Sequence, residues 1–226
     1  MDPREYARIW QRGDWSTHSH GRLGEYADGL GPSRFQYPPL HGRTLDIPST
    51  SAMTGLRSCR SFVAQGLDDA QLTELMTTIV PTASGMTYGS AGALYSVHPY
   101  VFRPRDGRAE LWYVDTNGFQ LTLVDEVDGK SVSESLIEQW AWPIGCLVAL
   151  VVDFRRVTDK YGFRGLRFAT IEAGQLTQML RENAIQLGLG SCVLGGFADE
   201  TLLAVLGLSS DWYGVAIMLA VGHERR

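Results

Sequence analysis

Three kinds of feature are scarce in this sequence, and each scarcity excludes a class of protein. The three cysteines, Cys59, Cys146 and Cys192, form no CxxC pair and no cluster with histidine, so a disulfide framework and a zinc site both lack ligands. We therefore expect reduced thiols, as in a cytoplasm. The most apolar runs, residues 146–152 and 215–221, are far shorter than the roughly 20 residues that cross a bilayer. The polar N-terminus has no apolar segment of a secretory signal.

Charged residues are also sparse, at 20% of the chain, and the net charge is -5. This acidic balance argues against a surface built to neutralise nucleic-acid phosphates. Hydrophobic residues make up 44%, which is ordinary for a soluble globular protein and excludes disordered, collagen-like and coiled-coil chains. The 226 residues favour one large domain over two small ones.

The first 50 residues differ in composition from the rest of the chain. They are rich in Gly, Pro, Ser, His and aromatic residues, with breakers at Tyr37-Pro38-Pro39-Leu40 and Ile47-Pro48. This composition predicts an irregular N-terminal arm over residues 1–50 and a folded domain over residues 51–226. A partly disordered tail is the alternative interpretation of the arm.

Hydrophobic periodicity predicts a mixture of helices and strands in the domain. Helices are expected at residues 67–76, 133–140, 171–187 and 200–206, with Gly188 as the C-cap of the third. Strands are expected at residues 100–102, 110–114, 118–123, 145–154 and 215–221, the first two forming a hairpin at Asp106-Gly107. Because strands and helices do not alternate strictly, an α+β fold is favoured over a doubly wound sheet.

The glycine-dense segment of residues 188–196 is not a dinucleotide fingerprint. The third glycine of GxGxxG would fall at Val193, and the segment follows a helix rather than a strand. A C-cap leading into a strand is the simpler interpretation. Gly195 and Gly196 lie beyond that cap, where the absence of side chains would let backbone N–H groups approach a flat ligand.

Two further segments have the composition of a phosphate site and of a ring-binding site. Arg57, Ser58 and Arg60 combine guanidinium groups with a hydroxyl, which suits a dianionic phosphate, although a short basic run is also common on solvated surfaces. Small residues at Ser90-Ala91-Gly92 permit close backbone approach to a planar ring, but tight packing against a helix would require the same choice.

Residues 160–167 follow the apolar strand of residues 145–154 and are predicted to form a loop. A tyrosine acts as a base only when a cation stabilises its phenolate, and Lys160 beside Tyr161 would supply that charge. A basic surface turn is the alternative. Glu172 is expected in the first turn of the next helix, where a carboxylate offsets the helix dipole. The five scattered histidines and the absence of GxSxG disfavour metal sites and hydrolases.

Taken in order, these segments resemble the nitroreductase-like flavoprotein superfamily, and within it the SagB-type (McbC-like) azoline dehydrogenases of thiazole and oxazole peptide biosynthesis. The resemblance spans residues 56–197, and Val221-Gly222 fits the last strand of the family. It rests on these segments: Arg57-Ser58-Cys59-Arg60-Ser61-Phe62, Ser90-Ala91-Gly92-Ala93-Leu94-Tyr95, Lys160-Tyr161-Gly162-Phe163-Arg164-Gly165, Glu172-Ala173-Gly174-Gln175, and Leu187-Gly188-Leu189-Gly190-Ser191 with Gly195-Gly196-Phe197.

The resemblance implies a three-layer α/β/α sandwich around a mostly antiparallel sheet. It also implies a homodimer that binds FMN at the subunit interface. By the family pattern, the FMN phosphate and ribityl chain would be held by Arg57, Ser58 and Arg60, with help from Arg225 or Arg226.

The same pattern assigns the flavin ring and the catalytic pair. Ser90, Ala91 and Gly92 would border the isoalloxazine, and Gly195 and Gly196 would offer it backbone N–H groups. Lys160 and Tyr161 align with the Lys-Tyr pair to which the azoline dehydrogenases owe catalysis.

The implied function is that of a cytoplasmic, FMN-dependent dehydrogenase or oxidase of natural-product biosynthesis. It would oxidise a thiazoline or oxazoline, in a small molecule or a peptide, to the aromatic azole. Tyr161 would take the proton, and oxygen would regenerate the flavin. Besides a second copy of the chain, other biosynthetic enzymes or a carrier protein are the expected partners.

Two alternatives and two departures accompany this interpretation. The chain could instead be a general NAD(P)H-dependent nitro or quinone reductase, or a flavin-free partner subunit of a peptide-modifying complex. Gln175 stands where many relatives carry His, which removes a titratable group, and Leu166 stands where many carry Tyr.

Overall fold

The computed structural model describes Arg4, residues 55–116 and residues 119–225. Apart from Arg4, the predicted N-terminal arm of residues 1–50 lies outside the described residues, as does Arg226. The boundary between arm and domain therefore stays a prediction.

The described residues form a sheet of six strands in which every neighbouring pair is antiparallel. The strands lie side by side in the order β3-β2-β1-β4-β6-β5. Their bounds are β1 Val97–Arg105, β2 Arg108–Asp115, β3 Gln120–Asp128, β4 Cys146–Asp153, β5 Gly190–Leu194 and β6 Tyr213–Gly222. The prediction of a mostly antiparallel sheet is confirmed.

The apolar run at the middle of the sequence forms the middle of the sheet. All eight residues of β4 are buried, because β1 and β6 flank the strand and helices cover both of its faces. The predicted hairpin joins β1 to β2 through Asp106 and Gly107, whose φ angles of 49° and 81° are those of a tight turn.

Five α-helices and three short 3-10 turns accompany the sheet within the described residues. The helices are α1 Asp69–Met76, α2 Gly129–Glu134, α3 Phe154–Tyr161, α4 Arg164–Gln186 and α5 Asp199–Val205, and the turns are Thr77–Ile79, Ala91–Ala93 and Gln139–Ala141. The predicted acidic cap of α1 is present, since Asp68 accepts from the Gln71 backbone N–H at 2.8 Å. None of the helices in these ranges is long and apolar enough to span a membrane.

The helices lie on both faces of the sheet. Leu72 of α1 and Leu176 of α4 pack in one buried cluster with Val148 of β4. Val132 of α2 and Leu202 of α5 belong to a second cluster that includes the other face of β4. Successive β4 side chains alternate between these clusters, which gives the three layers that the resemblance implied.

Two segments predicted from the sequence do not occur in the structure. The predicted helix at residues 133–140 is absent: α2 ends at Glu134, and Leu136 instead forms a β-bridge with Phe197. The predicted loop at residues 160–167 is also absent, because Lys160 and Tyr161 close α3 and α4 begins at Arg164. Gly165 makes this arrangement possible, since a Cβ there would overlap the Val157 carbonyl of α3.

Candidate active site

Two of the predicted site segments lie in direct contact. The Lys160 ammonium donates to the Gly92 carbonyl at 3.4 Å and lies 5.5 Å from the centre of the Tyr161 ring. A Cβ at Gly92 would overlap both the Tyr161 hydroxyl and the Lys160 ammonium. Glycine at this position therefore lets the Lys160–Tyr161 pair approach the backbone of residues 90–92.

The sheet explains why residues so distant in sequence meet. Strand β1 begins at Val97, opposite Val152 near the end of its neighbour β4. Residues 90–92 precede the start of β1, and α3 follows the end of β4. Because these two strands are antiparallel neighbours, both segments lie at the same end of the strands. Eight residues of α3 then bring Lys160 and Tyr161 to Gly92.

The Tyr161 ring is half-buried and packs edge-on against Phe168 of α4, with 5.0 Å between the ring centres. This packing restrains the ring while the hydroxyl lies at Gly92. The phenol of Tyr161 and the ammonium of Lys160 thus lie side by side at the backbone of Gly92.

Glu172 has a different environment from the predicted one. It lies beyond the first turn of α4, with 2% of its surface exposed, so it does not offset the helix dipole. Its carboxylate accepts from the Ser90 hydroxyl at 2.5 Å and from the Val97 N–H at 3.0 Å. Burial raises the pKa of Glu172, although these hydrogen bonds oppose the shift.

The predicted phosphate residues gather at another place, beside β5 and the end of β6. Phe62 and Glu224 form a β-bridge, and the Arg225 N–H donates to the Ser61 carbonyl at 2.9 Å. This pairing brings together the exposed residues Arg57, Ser58, Arg60 and Arg225.

A cavity of about 230 Å³ lies next to these residues, lined by Arg57, Glu224 and the backbone of residues 188–191. Glu224 forms an ion pair with Arg57 and would compete with an anion for that guanidinium. Arg57, Ser58, Arg60 and Arg225 are all exposed in the two segments that this pairing joins, and guanidinium and hydroxyl donors of this kind fit a dianionic phosphate such as that of FMN.

The two predicted glycines beyond β5 differ from each other. Gly195 is exposed, and a Cβ there would meet no atom within 4 Å, which leaves room for a planar ligand. The Gly196 carbonyl accepts from the Ile137 N–H at 3.1 Å, and a Cβ at Gly196 would touch the Ile137 side chain. Only Gly195 thus leaves the open space that the sequence analysis expected of both.

Within the chain, the Lys160–Tyr161 pair and the arginine cluster lie beside different parts of α4. Ser90 contacts Glu172 of α4, whereas Ile185, near the other end of α4, lines the cavity beside Arg57. At 1.5 Å per helical residue, Glu172 and Ile185 lie about 20 Å apart. The Lys160–Tyr161 pair and the arginine cluster are therefore associated with opposite halves of α4.

A larger cavity, of about 1130 Å³, lies elsewhere, beside the β1–β2 hairpin. Its lining includes Arg103, Arg108, Lys130 and Trp142, but none of the predicted site residues. It therefore belongs to neither group. No cluster of His, Cys, Asp or Glu suited to a metal occurs in residues 55–116 and 119–225, and all three cysteines are buried.

The fold and these contacts agree with the comparison to known families. Residues 54–223 match the nitroreductase family, and the chain belongs to that family.

Within it, the chain is similar to the putative nitroreductase MJ1384 of Methanocaldococcus jannaschii, at 27% identity over 157 residues, covering 66% of this chain and 79% of that protein. It is also related to the microcin B17-processing protein McbC of Escherichia coli, at 29% identity over 132 residues. That match covers 54% of this chain and 48% of McbC, so it spans about half the length of McbC.

Solved structures show the same fold. A chain of the E. coli microcin synthetase McbBCD complex with truncated pro-MccB17 bound superposes with a TM-score of 0.80 at 18% identity, covering 100% of this chain and 95% of that chain. A putative nitroreductase from Anabaena variabilis gives a TM-score of 0.64 at 23% identity, covering 75% and 37%. The nitroreductase-like, McbC-type resemblance and the predicted fold are thus confirmed.

Proposed function

We propose that this protein is an FMN-dependent dehydrogenase or oxidase that converts a thiazoline or oxazoline to an azole during natural-product biosynthesis. The contact of Lys160 and Tyr161 with Gly92 carries the proposal, because it joins the expected catalytic pair to the segment expected at the flavin ring. The relationship to a microcin-processing protein supports a peptide-derived substrate.

Groups of the kind that a flavin cofactor needs are present among the described residues. Bound FMN would supply the hydride acceptor. Its phosphate and ribityl chain would be held by Arg57, Ser58, Arg60 and Arg225, because these exposed donors belong to two segments joined by the Phe62–Glu224 bridge, and Arg57 lines the cavity there. Residues 90–92 and Gly195 would border the ring, since both present backbone with little side chain.

Tyr161 would accept the proton that leaves the azoline carbon. Because only the phenolate of Tyr161 can take this proton and become a neutral phenol, Lys160 would stabilise the phenolate before the transfer, since its ammonium lies next to the ring and donates to the Gly92 carbonyl. Gly196, packed on Ile137, would support the loop rather than the ring.

A homodimer is part of this proposal. The segment that contacts Lys160 is bound by Glu172 of α4, whereas the cavity beside Arg57 is lined by Ile185, about 20 Å further along that helix, which favours a site assembled from two subunits. The similarity to a chain of a synthetase complex with a bound pro-peptide favours a peptide substrate and partner enzymes or a carrier protein.

The test combines a spectrum with turnover. The purified protein should show a flavin spectrum and should oxidise a synthetic thiazoline peptide in the presence of oxygen. Tyr161→Phe should retain FMN and lose at least about 100-fold in kcat, the usual contribution of a general base. Tyr100→Phe, on the other face of the sheet, is the matched control and should retain activity. Full activity in Tyr161→Phe would remove this residue from the mechanism.

A general NAD(P)H-dependent nitro or quinone reductase is the second candidate, favoured by the similarity to MJ1384 over 79% of that protein. Bleaching of the flavin by NAD(P)H under anaerobic conditions, without azoline oxidation, would establish it. A colourless protein that gains no flavin spectrum on addition of FMN would contradict both candidates and indicate a flavin-free partner subunit.

A further inference from the structure

We propose that Glu172 and Gln175 are positioning residues that clamp residues 89–97 onto α4 and thereby hold the Gly92 carbonyl at the Lys160 ammonium. The effect of this clamp on catalysis rests on the proposed function, but its hydrogen bonds lie within the chain and can be measured without substrate.

The clamp consists of two side chains one helical turn apart. Glu172 accepts from the Ser90 hydroxyl at 2.5 Å and from the Val97 N–H at 3.0 Å, and Gln175 accepts from the Gly89 N–H at 3.0 Å. Residues three apart on a helix point to the same side, so one face of α4 grips both ends of residues 89–97.

The gripped segment forms a short 3-10 turn, in which the Ala93 N–H donates to the Ser90 carbonyl at 3.0 Å and the Leu94 N–H to the Ala91 carbonyl at 3.4 Å. Ala93 and Tyr95 adopt φ angles of 56° and 47°, in the left-handed region that side chains disfavour. The Tyr95 N–H donates at 2.8 Å to the Ser90 hydroxyl, which in turn donates to Glu172. One buried carboxylate thus stabilises the strained turn through a serine relay.

The clamp is linked to the catalytic pair through Gly92. Gly92, with φ of 62°, lies between Ser90 and Tyr95, and its carbonyl accepts from Lys160. If the turn is released, that carbonyl loses its fixed position and Lys160 loses its backbone acceptor. Glu172 therefore acts on the pair through residues 90–95 and not by contact with substrate.

Glu172→Gln tests the carboxylate with little change of volume. The new amide oxygen can still accept from Val97, but the NH₂ group would face the Ser90 hydroxyl, which would lose the carboxylate oxygen to which it donates. Glu182→Gln is the matched control, because Glu182 lies exposed on the same helix and contacts only Gln178 among the hydrogen bonds described for it.

The first readout is amide hydrogen exchange. In Glu172→Gln, the Val97 amide should exchange at least about tenfold faster, because its bond to a buried carboxylate becomes a weaker bond to a neutral amide oxygen. The Tyr95 amide should also exchange faster, because the Ser90 hydroxyl that accepts from it no longer donates to a carboxylate. Glu182→Gln should leave them unchanged.

The second readout is NMR of the lysines after reductive methylation with ¹³C-formaldehyde. The sequence has two lysines, Lys130 and Lys160, so Lys130 serves as an internal reference. Glu172→Gln should shift the Lys160 methyl resonance and leave that of Lys130 in place. With a thiazoline peptide, kcat should fall at least about tenfold while KM stays within about twofold, as expected for a loss confined to the transition state.

A folded Glu172→Gln protein with unchanged exchange and an unchanged Lys160 resonance would overturn the clamp. If that variant does not fold, Gln175→Ala replaces it, with the Gly89 amide as the exchange probe; unchanged exchange there would overturn the proposal as well. Failure of the wild type to oxidise azolines would refute the proposed function alone, since exchange and NMR are measured without substrate.

Discussion

Replacing Glu110 by Gln would leave the Arg103 guanidinium without its buried counter-ion. The two side chains are 4% and 7% exposed, respectively. Glu110 accepts from the Arg103 Nε at 2.6 Å, from the Arg105 Nη1 at 2.6 Å and from the Trp112 indole at 3.1 Å. The substitution therefore removes one charge from a network that links β1 to β2.

Breaking a buried ion pair by removing one partner costs about 3–5 kcal/mol. We expect the free energy of unfolding to fall by about 3 kcal/mol, the lower end, because Asp69 still accepts from Arg103 at 2.5 Å. Glu126, directly opposite Glu110 on β3, offers a matched control. Its pair with Arg108 spans 3.5 Å between side chains that are 56% and 58% exposed, so Glu126→Gln should cost under about 1 kcal/mol.

Urea unfolding followed by tryptophan fluorescence measures both variants, provided that the m-values stay equal. Burial opposes ionisation of Glu110, but hydrogen bonds from Arg105 and Arg103 outweigh it and lower its pKa below the usual 4.5. The stability that this carboxylate adds is present above pH 4.5 and is lost as the pH falls through the lowered pKa, so the difference from the variant should shrink there. Equal losses for Glu110→Gln and Glu126→Gln would refute the reasoning.

Two further predictions concern packing and pH. Gly165→Ala should destabilise the protein by more than about 1 kcal/mol, because the added methyl overlaps the Val157 carbonyl. Gly174→Ala, on the same helix, places its methyl in open space and should stabilise the protein by about 0.5–1 kcal/mol. The melting temperatures of the two variants should therefore move in opposite directions. Burial lowers the pKa of His98 below 6.5, so the unfolded state takes up a proton more readily than the folded state. The wild type should therefore lose stability relative to His98→Gln as the pH drops below 6.5. A difference in the free energy of unfolding that stays constant from about pH 7 to about pH 5 would contradict this.

Local patterns predicted the fold where one residue type dominates a segment. The unbroken apolar run of β4 predicts a buried strand, and Leu176 and Leu180, one helical turn apart, predict the buried face of α4. Neither prediction depends on the rest of the chain. Helix α3 escaped prediction because it has only eight residues and three buried side chains, so its short sequence has the composition of a polar turn.

The site was less accessible to sequence reasoning. The residue types were identified, but the contact of Lys160 with Gly92 depends on β1 lying beside β4, which no local pattern specifies. Glu172 was assigned to a helix dipole because the start of α4 was placed too late along the chain. The signal in the sequence for the clamp is a carboxylate and an amide three residues apart on a helix, Glu172 and Gln175, together with the glycine- and serine-rich segment that they bind.

Strand β3 is an edge strand of the sheet, and the backbone groups on its outer side have no neighbouring strand among the described residues. It also exposes Leu123 and Val124, the combination that promotes strand pairing between molecules and aggregation. The exposed Asp125, Glu126 and Asp128 follow directly, so two such edges brought together would place like charges side by side. Repulsion between these carboxylates opposes the pairing of two β3 edges.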